Sequence, residues 1–334
     1  MKTLITTITL LACMNAFATD KVIYGNDDRD HLNESEMAAY KELARSTAGM
    51  IPTSKLESQF DGLLTLIKGR TLEQTQRVCK DEKFSQVMTA ANCSGFLVGK
   101  NKIVTAGHCI KDEFACANNK WVFDFRQDLV PEGEDQLFVN SDNVYGCKKI
   151  ISRALSRNSQ NDYALIELDR DVTDREVLKF RTEGKIEDND PLVVIGHPSG
   201  LPTIIAGGAN VRTNTNDFFF QANLDTFGGN SGSAVFNAKT NTVEGILVRG
   251  ETDYAYDSES GCYRVFKCKD DECRGEDVTR ITVIPELVPG MTPVEPIATE
   301  VEEEENPFAF PGFSFDGIGE LDCNPVIPGD CLDF

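Results

Sequence analysis

Three short motifs carry the residue types that catalysis by a serine hydroxyl requires. His108 lies in the run TAGHC, Asp162 opens the apolar run DYALIEL, and Ser231 lies between glycines in GGNSGS. A serine hydroxyl is a weak nucleophile near neutral pH. It therefore needs an imidazole as general base, and that imidazole needs a carboxylate to hold its tautomer and offset its charge. The order histidine, aspartate, serine predicts attack on a peptide carbonyl and an acyl-enzyme intermediate.

The glycines around Ser231 predict a second part of the same chemistry. Gly229 and Gly232 let the backbone turn sharply on either side of the serine. The amide N–H groups of Gly229 and Ser231 can then point at one position, where they would stabilise an oxyanion. A histidine after a strand, an Asn-Asp turn and a glycine-rich loop are each common for structural reasons alone. Their joint occurrence in this order favours the catalytic interpretation.

Short apolar runs separated by Gly, Asn and Asp turns must position these groups. About six such runs occur in each half of the chain, and no long helix alternates with them, which argues against a parallel sheet. The pattern predicts an all-β fold of two packed antiparallel β-barrels with short helices. The expected strands are 94–98, 103–105, 121–125, 136–139, 149–154 and 163–168, then 192–195, 203–206, 210–213, 218–224, 234–236 and 243–248. Capping-box patterns at 33–36 and 71–74 predict two helix starts.

The first residues have the composition of a secretory signal. Lys2 precedes an apolar run, and Ala16-Phe17-Ala18 has the small-x-small pattern of a cleavage site, which predicts a signal peptide at 1–18 and a secreted or periplasmic protein. A lipoprotein signal ending at Cys13 is the weaker alternative, because Leu11 is bulky. No other segment approaches the roughly 20 apolar residues of a membrane span.

The remaining chain is expected to divide into a large domain and a tail. Residues 19–285 are predicted to form the catalytic domain, with the first barrel at about 60–175 and the second at about 185–285. Residues 286–334 contain a Pro-rich, acidic stretch that is typical of a solvated linker, followed by a short C-terminal segment.

Charge and cysteine content limit the partners and the compartment. The formal net charge is -21, which disfavours nucleic acid and anionic membranes. Of the 11 cysteines, Cys13 falls in the predicted signal, and the even number that remains indicates disulfides in an oxidising compartment. A zinc site at Cys262, Cys268 and Cys273 is the alternative, but their spacing matches no common zinc pattern. No metal or cofactor is predicted, and we expect a monomer that acts on proteins or peptides.

Five segments together resemble the chymotrypsin-like serine peptidases, in particular the bacterial branch that includes the glutamyl endopeptidases. They are CSGFLVGKNKIVTAGHC (93–109), NDYALIEL (161–168), IGHPSGLP (195–202), DTFGGNSGSAVFN (225–237) and GILVRG (245–250), and the stretch from the first to the last of them spans about half of the chain. The resemblance implies the two-barrel fold, the triad already described and a disulfide between Cys93 and Cys109. Pairings of Cys116 with Cys147 and of Cys323 with Cys331 are suggested by proximity. An α/β-hydrolase is excluded, because its motif needs glycine where Ser233 stands and its triad order differs.

The resemblance also implies a primary specificity pocket. In trypsin-like members, an aspartate six residues before the nucleophile lies at the base of this pocket, and Asp225 has that offset. Thr226 and Gly250 would complete the pocket, which implies cleavage after Lys or Arg. The alternative for Asp225 is that it caps a turn or binds backbone amides. A glutamyl specificity is the second possibility. Those enzymes use a histidine in the strand that matches GILVRG, whereas this chain could offer only Arg249 to an acidic side chain.

Activation departs from the trypsin-like pattern. In that pattern an aspartate before the nucleophile pairs with the new N-terminus, but here the residue is the uncharged Asn230. Lys21-Val22 still resembles an activation cleavage point. A peptidase fold reused only for binding is the alternative class of function, and the complete triad argues against it.

Overall fold

Strands dominate the computed structural model, which describes residues 22–32, 40–130 and 134–291. The strands are β1 Ile23–Tyr24, β2 Arg29–His31, β3 Thr47–Pro52, β4 Leu56–Gln59, β5 Leu64–Lys68, β6 Arg70–Thr71, β7 Met88–Thr89, β8 Cys93–Gly99, β9 Lys102–Thr105, β10 Asn119–Phe123, β11 Gln136–Asn140, β12 Val144–Leu155, β13 Asp162–Leu168, β14 Pro191–Gly196, β15 Ile204–Thr213, β16 Phe219–Ala222, β17 Ala234–Asn237, β18 Thr242–Arg249, β19 Tyr254–Asp257, β20 Cys262–Val265, β21 Lys267–Cys268 and β22 Glu276–Arg280. The α-helices of the described residues are short: α1 Lys41–Arg45, α2 Leu72–Gln76 and α3 Glu113–Ala117. None of them is long and apolar enough to cross a membrane.

The first barrel closes in the strand order β10-β12-β13-β9-β8-β3. Its predicted hairpin is present, with Phe96 opposite Val104 across the turn. Trp121 is fully buried at its centre, and a Cβ on Gly95 would lie 2.6 Å from the Trp121 ring, so a glycine is needed there. The barrel begins with β3, earlier than the expected start near residue 60. The sequence missed β3 because its buried TAGMIP run lacks the alternation of apolar and polar residues that indicates a half-exposed strand.

The second barrel closes in the order β14-β17-β18-β22-β16-β15, with β15 returning to pair with β14 and β2 adding at its edge. The two barrels confirm the all-β prediction. The strands expected at 203–206 and 210–213 are one continuous strand, β15. Strand β22 was not predicted, because its sequence EDVTR is polar, yet all five residues are buried.

A small sheet outside the barrels corrects one expected strand. Strand β11 was expected in the first barrel, but it pairs with β5, and β5 pairs with β4. The exposed residues of β11 alternate with the buried Leu137 and Val139, so this strand lies on the protein surface. Helix α2 begins with the predicted capping box of Thr71 and Gln74. Of the helix expected from residue 33, only its last part, α1, falls within the described residues.

Four disulfides join the described residues. Cys93–Cys109 is the pair that the family resemblance implies, and Cys116–Cys147 is the pair that proximity suggested. Two further bonds link Cys79 with Cys262 and Cys268 with Cys273. The three cysteines weighed as zinc ligands are therefore disulfide-bonded. The suggested Cys323–Cys331 pair, the predicted signal and nearly all of the predicted tail lie outside the described residues.

Candidate active site

The candidate base and its carboxylate meet because their strands are neighbours. His108 follows the end of β9, and Asp162 begins β13, which pairs with β9. The His108 Nδ1 atom lies 2.8 Å from Asp162 Oδ2, and the His108 backbone N–H donates to Asp162 Oδ1 at 3.1 Å. Because carboxylate oxygens only accept, Nδ1 carries the proton and Nε2 is left as an acceptor. Asp162 is only 2% exposed.

Ser231 lies in a tight loop that contacts the first barrel through Ser94. The Ser94 N–H donates to the Ser231 carbonyl at 2.8 Å, and the Ser94 hydroxyl donates to the Gly229 carbonyl at 2.9 Å. Ser94 directly follows Cys93, whose disulfide partner Cys109 directly follows His108. The serine loop and the histidine loop are thus tied to one short segment of β8. Sequence reasoning missed Ser94, although its place beside a cysteine of the motif was a signal.

The loop geometry at Ser231 requires its glycines. Gly229 has φ +94°, and a Cβ there would lie 2.6 Å from the His197 carbonyl oxygen. Gly232 has φ +91°, and a Cβ there would lie 2.0 Å from the Ser94 carbonyl oxygen. Both backbone conformations are costly for any other residue. Within the described residues, the Gly229 amide donates no hydrogen bond to the protein, which leaves this N–H available to an oxyanion.

Asn230 is held inside the serine loop. Its Oδ1 atom accepts from the Ser233 hydroxyl at 3.0 Å, and the Ser233 amide donates to the Asn230 carbonyl at 2.8 Å. This pair of bonds orders the loop from within. The ion pair that trypsin-like enzymes form at this position has no counterpart here, because the Asn230 side chain carries no charge.

Asp225 faces the N-terminal segment. Its Oδ1 atom accepts from the Tyr24 amide at 2.8 Å, and its Oδ2 atom accepts from the Asp28 amide at 2.9 Å. Asp225 is 3% exposed, and burial raises its pKa to about 7, although the two amide bonds act in the opposite direction. These contacts match the second of the two interpretations that the sequence left open, the binding of backbone amides.

Thr226 and Gly250 surround a different carboxylate, that of Glu276 at the start of β22. The Thr226 hydroxyl donates to Glu276 Oε2 at 2.6 Å, and the Glu251 amide donates to Oε1 at 3.2 Å. A Cβ on Gly250 would lie only 1.9 Å from Glu276 Oε2. Sequence reasoning missed Glu276, and the acidic residues of the polar segment EDVTR were the signal that could have found it.

The guanidinium of Arg249 contacts acidic and carbonyl groups of the protein itself. Its Nε atom donates to Asp277 Oδ2 at 3.1 Å, and Nη2 donates to the Gln160 carbonyl at 2.9 Å. Its Nη1 atom also lies 3.8 Å from Asp162 Oδ2. The guanidinium is therefore held beside the protein's own carboxylates.

The surroundings of His197 are those of a structural residue in the protein interior. It is fully buried, its Nδ1 atom donates to the Leu201 carbonyl at 3.0 Å, and its ring stacks on Phe125. Burial lowers the pKa of His197 to about 4, so this ring is neutral at physiological pH.

A family model described as the trypsin-like peptidase domain matches residues 93–246. The matched region contains His108, Asp162 and Ser231. This match and the two closed barrels support a chymotrypsin-like serine peptidase. The protein is accordingly a serine endopeptidase, a hydrolase.

Several solved structures are similar to the chain. A Glu endopeptidase in complex with MPD has 17% identity and a TM-score of 0.43, over 80% of this chain and 97% of that one. The VesB protease of Vibrio cholerae has 14% identity and a TM-score of 0.42, over 78% and 65% of the two chains. The Rv3671c protease of M. tuberculosis, in an inactive form, has 13% identity and a TM-score of 0.39, over 75% and 89%. At such low identity, specificity has to come from this chain's own residues.

Proposed function

We propose that the protein is a secreted endopeptidase that cleaves after Lys or Arg with a triad of His108, Asp162 and Ser231. The observation that carries the triad is the doubly bonded pair of His108 and Asp162. Asp162 accepts from both the ring and the backbone amide of the histidine, which fixes the imidazole in the tautomer that a general base needs.

The proposed reaction follows from these positions. As the Ser231 hydroxyl attacks the substrate carbonyl carbon, its proton passes to His108 Nε2, and Asp162 offsets the charge of the imidazolium. The amides of Gly229 and Ser231 donate to the oxygen of the tetrahedral intermediate. When the peptide C–N bond breaks, His108 returns the proton to the leaving amine and an acyl-enzyme remains. Water, deprotonated by the same base, then hydrolyses the acyl-enzyme.

A buried carboxylate beside Thr226 supports a basic specificity. Glu276 accepts a hydrogen bond from the Thr226 hydroxyl. A glutamyl specificity is disfavoured, because the guanidinium of Arg249 is already engaged by Asp277, and the strand β18 carries no histidine.

Export is supported by the four disulfides, since such bonds persist in oxidising compartments. The signal peptide at 1–18 remains a prediction from the sequence. Fractionation of expressing cells, with N-terminal sequencing of the exported chain, tests it. Protein that stays in the cytoplasm with residues 1–18 attached would contradict export.

A labelling experiment tests the triad. The protein, as purified and after limited cleavage at Lys21, is treated with a fluorophosphonate probe and profiled against a peptide library, with Ser231→Ala as the control. We expect labelling and cleavage after basic residues in the wild type and neither in the variant. A folded wild type that takes up no probe in either form would contradict the proposed triad.

A further inference from the structure

We infer that Glu276, and not Asp225, supplies the negative charge that selects a Lys or Arg side chain in the primary specificity pocket. This inference deepens the proposed function and rests on it. It assigns the recognition of the substrate to a residue that neither the motifs nor their spacing indicated.

The first step is that the N-terminal segment covers Asp225. Both oxygens of its carboxylate accept backbone amides, from Tyr24 and Asp28. Strand β1 is itself fixed by parallel pairing with β21, and the Thr226 amide approaches the Val22 carbonyl at 3.4 Å. A substrate cation could reach Asp225 only by displacing this buried segment.

The second step is that Glu276 lies against the two residues that the family resemblance assigns to the pocket. Its Oε2 atom accepts the Thr226 hydroxyl at 2.6 Å. The close approach of Oε2 to Gly250 leaves no space for a side chain at that position. The Glu251 amide, one residue further along the chain, holds Oε1 at 3.2 Å. These contacts orient the carboxylate at the place where the resemblance expects the substrate side chain.

The third step is that Tyr24 stands next to both acidic residues. Its backbone amide binds Asp225, while its hydroxyl accepts from the Gly275 amide at 3.0 Å, beside Glu276. Burial raises the pKa of Tyr24, and the negative charge of Glu276 raises it further. Tyr24, only 3% exposed, thus adds to the N-terminal cover over Asp225.

The fourth step is the contrast with the next residue. Successive side chains of a strand point to opposite faces, so Asp277 points away from Glu276. Asp277 Oδ2 pairs with Arg249 at 3.1 Å and with Arg274 at 2.6 Å. The two adjacent acids of β22 therefore lie on different faces of the strand: Asp277 contacts Arg249 and Arg274, and Glu276 contacts Thr226 and Gly250.

The test compares two isosteric variants, Glu276→Gln and Asp225→Asn. Each is assayed with peptide substrates that differ only in Arg or Gln before the scissile bond, and kcat/KM is referred to active sites titrated with the fluorophosphonate. Loss of a buried charge partner costs about 30-fold or more. We expect that loss for Glu276→Gln on the Arg substrate and a much smaller loss on the Gln substrate. In Asp225→Asn, the ratio of the two substrates should stay as in the wild type.

Two controls separate charge from folding. Glu244→Gln removes another buried carboxylate, one that pairs with Arg181, and it should keep the substrate ratio. Glu276→Asp keeps the charge on a shorter side chain and should keep more of the preference for Arg than Glu276→Gln does, though less than the wild type. Should Glu276→Gln fail to fold, the affinity of benzamidine, a cation that needs no turnover, is measured for Glu276→Asp and for the wild type. Weaker binding by the shortened acid supports the inference, and equal binding opposes it.

The outcomes distinguish the two proposals. A wild type that prefers Arg, with the preference kept in Glu276→Gln and lost in Asp225→Asn, overturns this inference alone. A wild type that is labelled by the probe but prefers another residue overturns the proposed specificity. A wild type without labelling overturns the proposed function.

Discussion

Asp162→Asn is the sharpest test of how the candidate triad is built. The aspartate makes two bonds to one residue, to the ring Nδ1 of His108 and to its backbone N–H. Asparagine has only one acceptor oxygen, so it can serve one of these two donors and must present its NH₂ group to the other. Because the side chain is buried, water cannot replace the lost acceptor.

Each orientation of the new amide has a defined cost. If its oxygen keeps the backbone N–H of His108, its NH₂ group faces Nδ1, and the imidazole must carry its proton on Nε2. That tautomer cannot accept the proton of Ser231. If the amide flips, the ring keeps its tautomer, but the buried backbone N–H loses its acceptor, at about 1–3 kcal/mol. In either orientation the carboxylate charge that offsets the imidazolium is absent.

We therefore expect kcat of Asp162→Asn to fall by about 10⁴-fold, which corresponds to about 5 kcal/mol of transition-state stabilisation. The assay is hydrolysis of a fluorogenic peptide at saturating substrate, corrected for the folded fraction by circular dichroism. The second-order rate of fluorophosphonate labelling should fall in parallel, because it depends on the same base. A variant that keeps more than a tenth of the wild-type kcat would refute the reasoning.

Two further predictions concern pH and the serine loop. Burial holds the pKa of His197 at about 4, below its ordinary 6.5, so the unfolded chain binds a proton in this interval and the folded protein does not. The contribution of His197 to the free energy of unfolding should be fully present above pH 6.5 and fall by about 3 kcal/mol toward pH 4. Urea unfolding should therefore show a shallower pH dependence in His197→Gln than in the wild type. An unchanged pH dependence would contradict the assignment. Gly232→Ala should lower the melting temperature and abolish activity, because the added methyl would overlap the Ser94 carbonyl at a φ of +91°. Gly261→Ala, with φ +70° but open space around it, is its matched control, and equal losses in both variants would mean that φ alone is responsible.

The sequence predicted those features of the fold that depend on residues close together in the chain. The hairpin of β8 and β9 has its turn and both apolar strands within one short stretch, so its register could be read directly. The meeting of His108 with Asp162 needed only the general rule that adjacent strands bring their ends together. Strand β22 could not be read, because its polar side chains are buried against partners such as Arg249 and Thr226, which are distant in the chain.

The sequence could not predict the environment of Asp225 either, because the partners of this residue are also distant in the chain. Its two hydrogen-bond donors, Tyr24 and Asp28, lie about two hundred residues away, and nothing in DTFGGNSGS indicates which segment will cover it. The motif correctly located a buried acid before the serine loop. It could not decide whether that acid faces a substrate or the protein's own backbone, because this depends on contacts made by another part of the chain.

Because its amides bind Asp225, the N-terminal segment contacts the site differently from the new N-terminus of the trypsin-like pattern. In the trypsin-like pattern a new N-terminus orders the loop next to the nucleophile, through an ion pair that Asn230 cannot form. Here the serine loop is ordered by the bond between Asn230 and Ser233. The segment from Val22 to Asp28 binds Asp225 instead, through the amides of Tyr24 and Asp28. The segment therefore covers Asp225, while the loop that carries the proposed oxyanion donors is held by its own bond between Asn230 and Ser233 and by its contacts with Ser94.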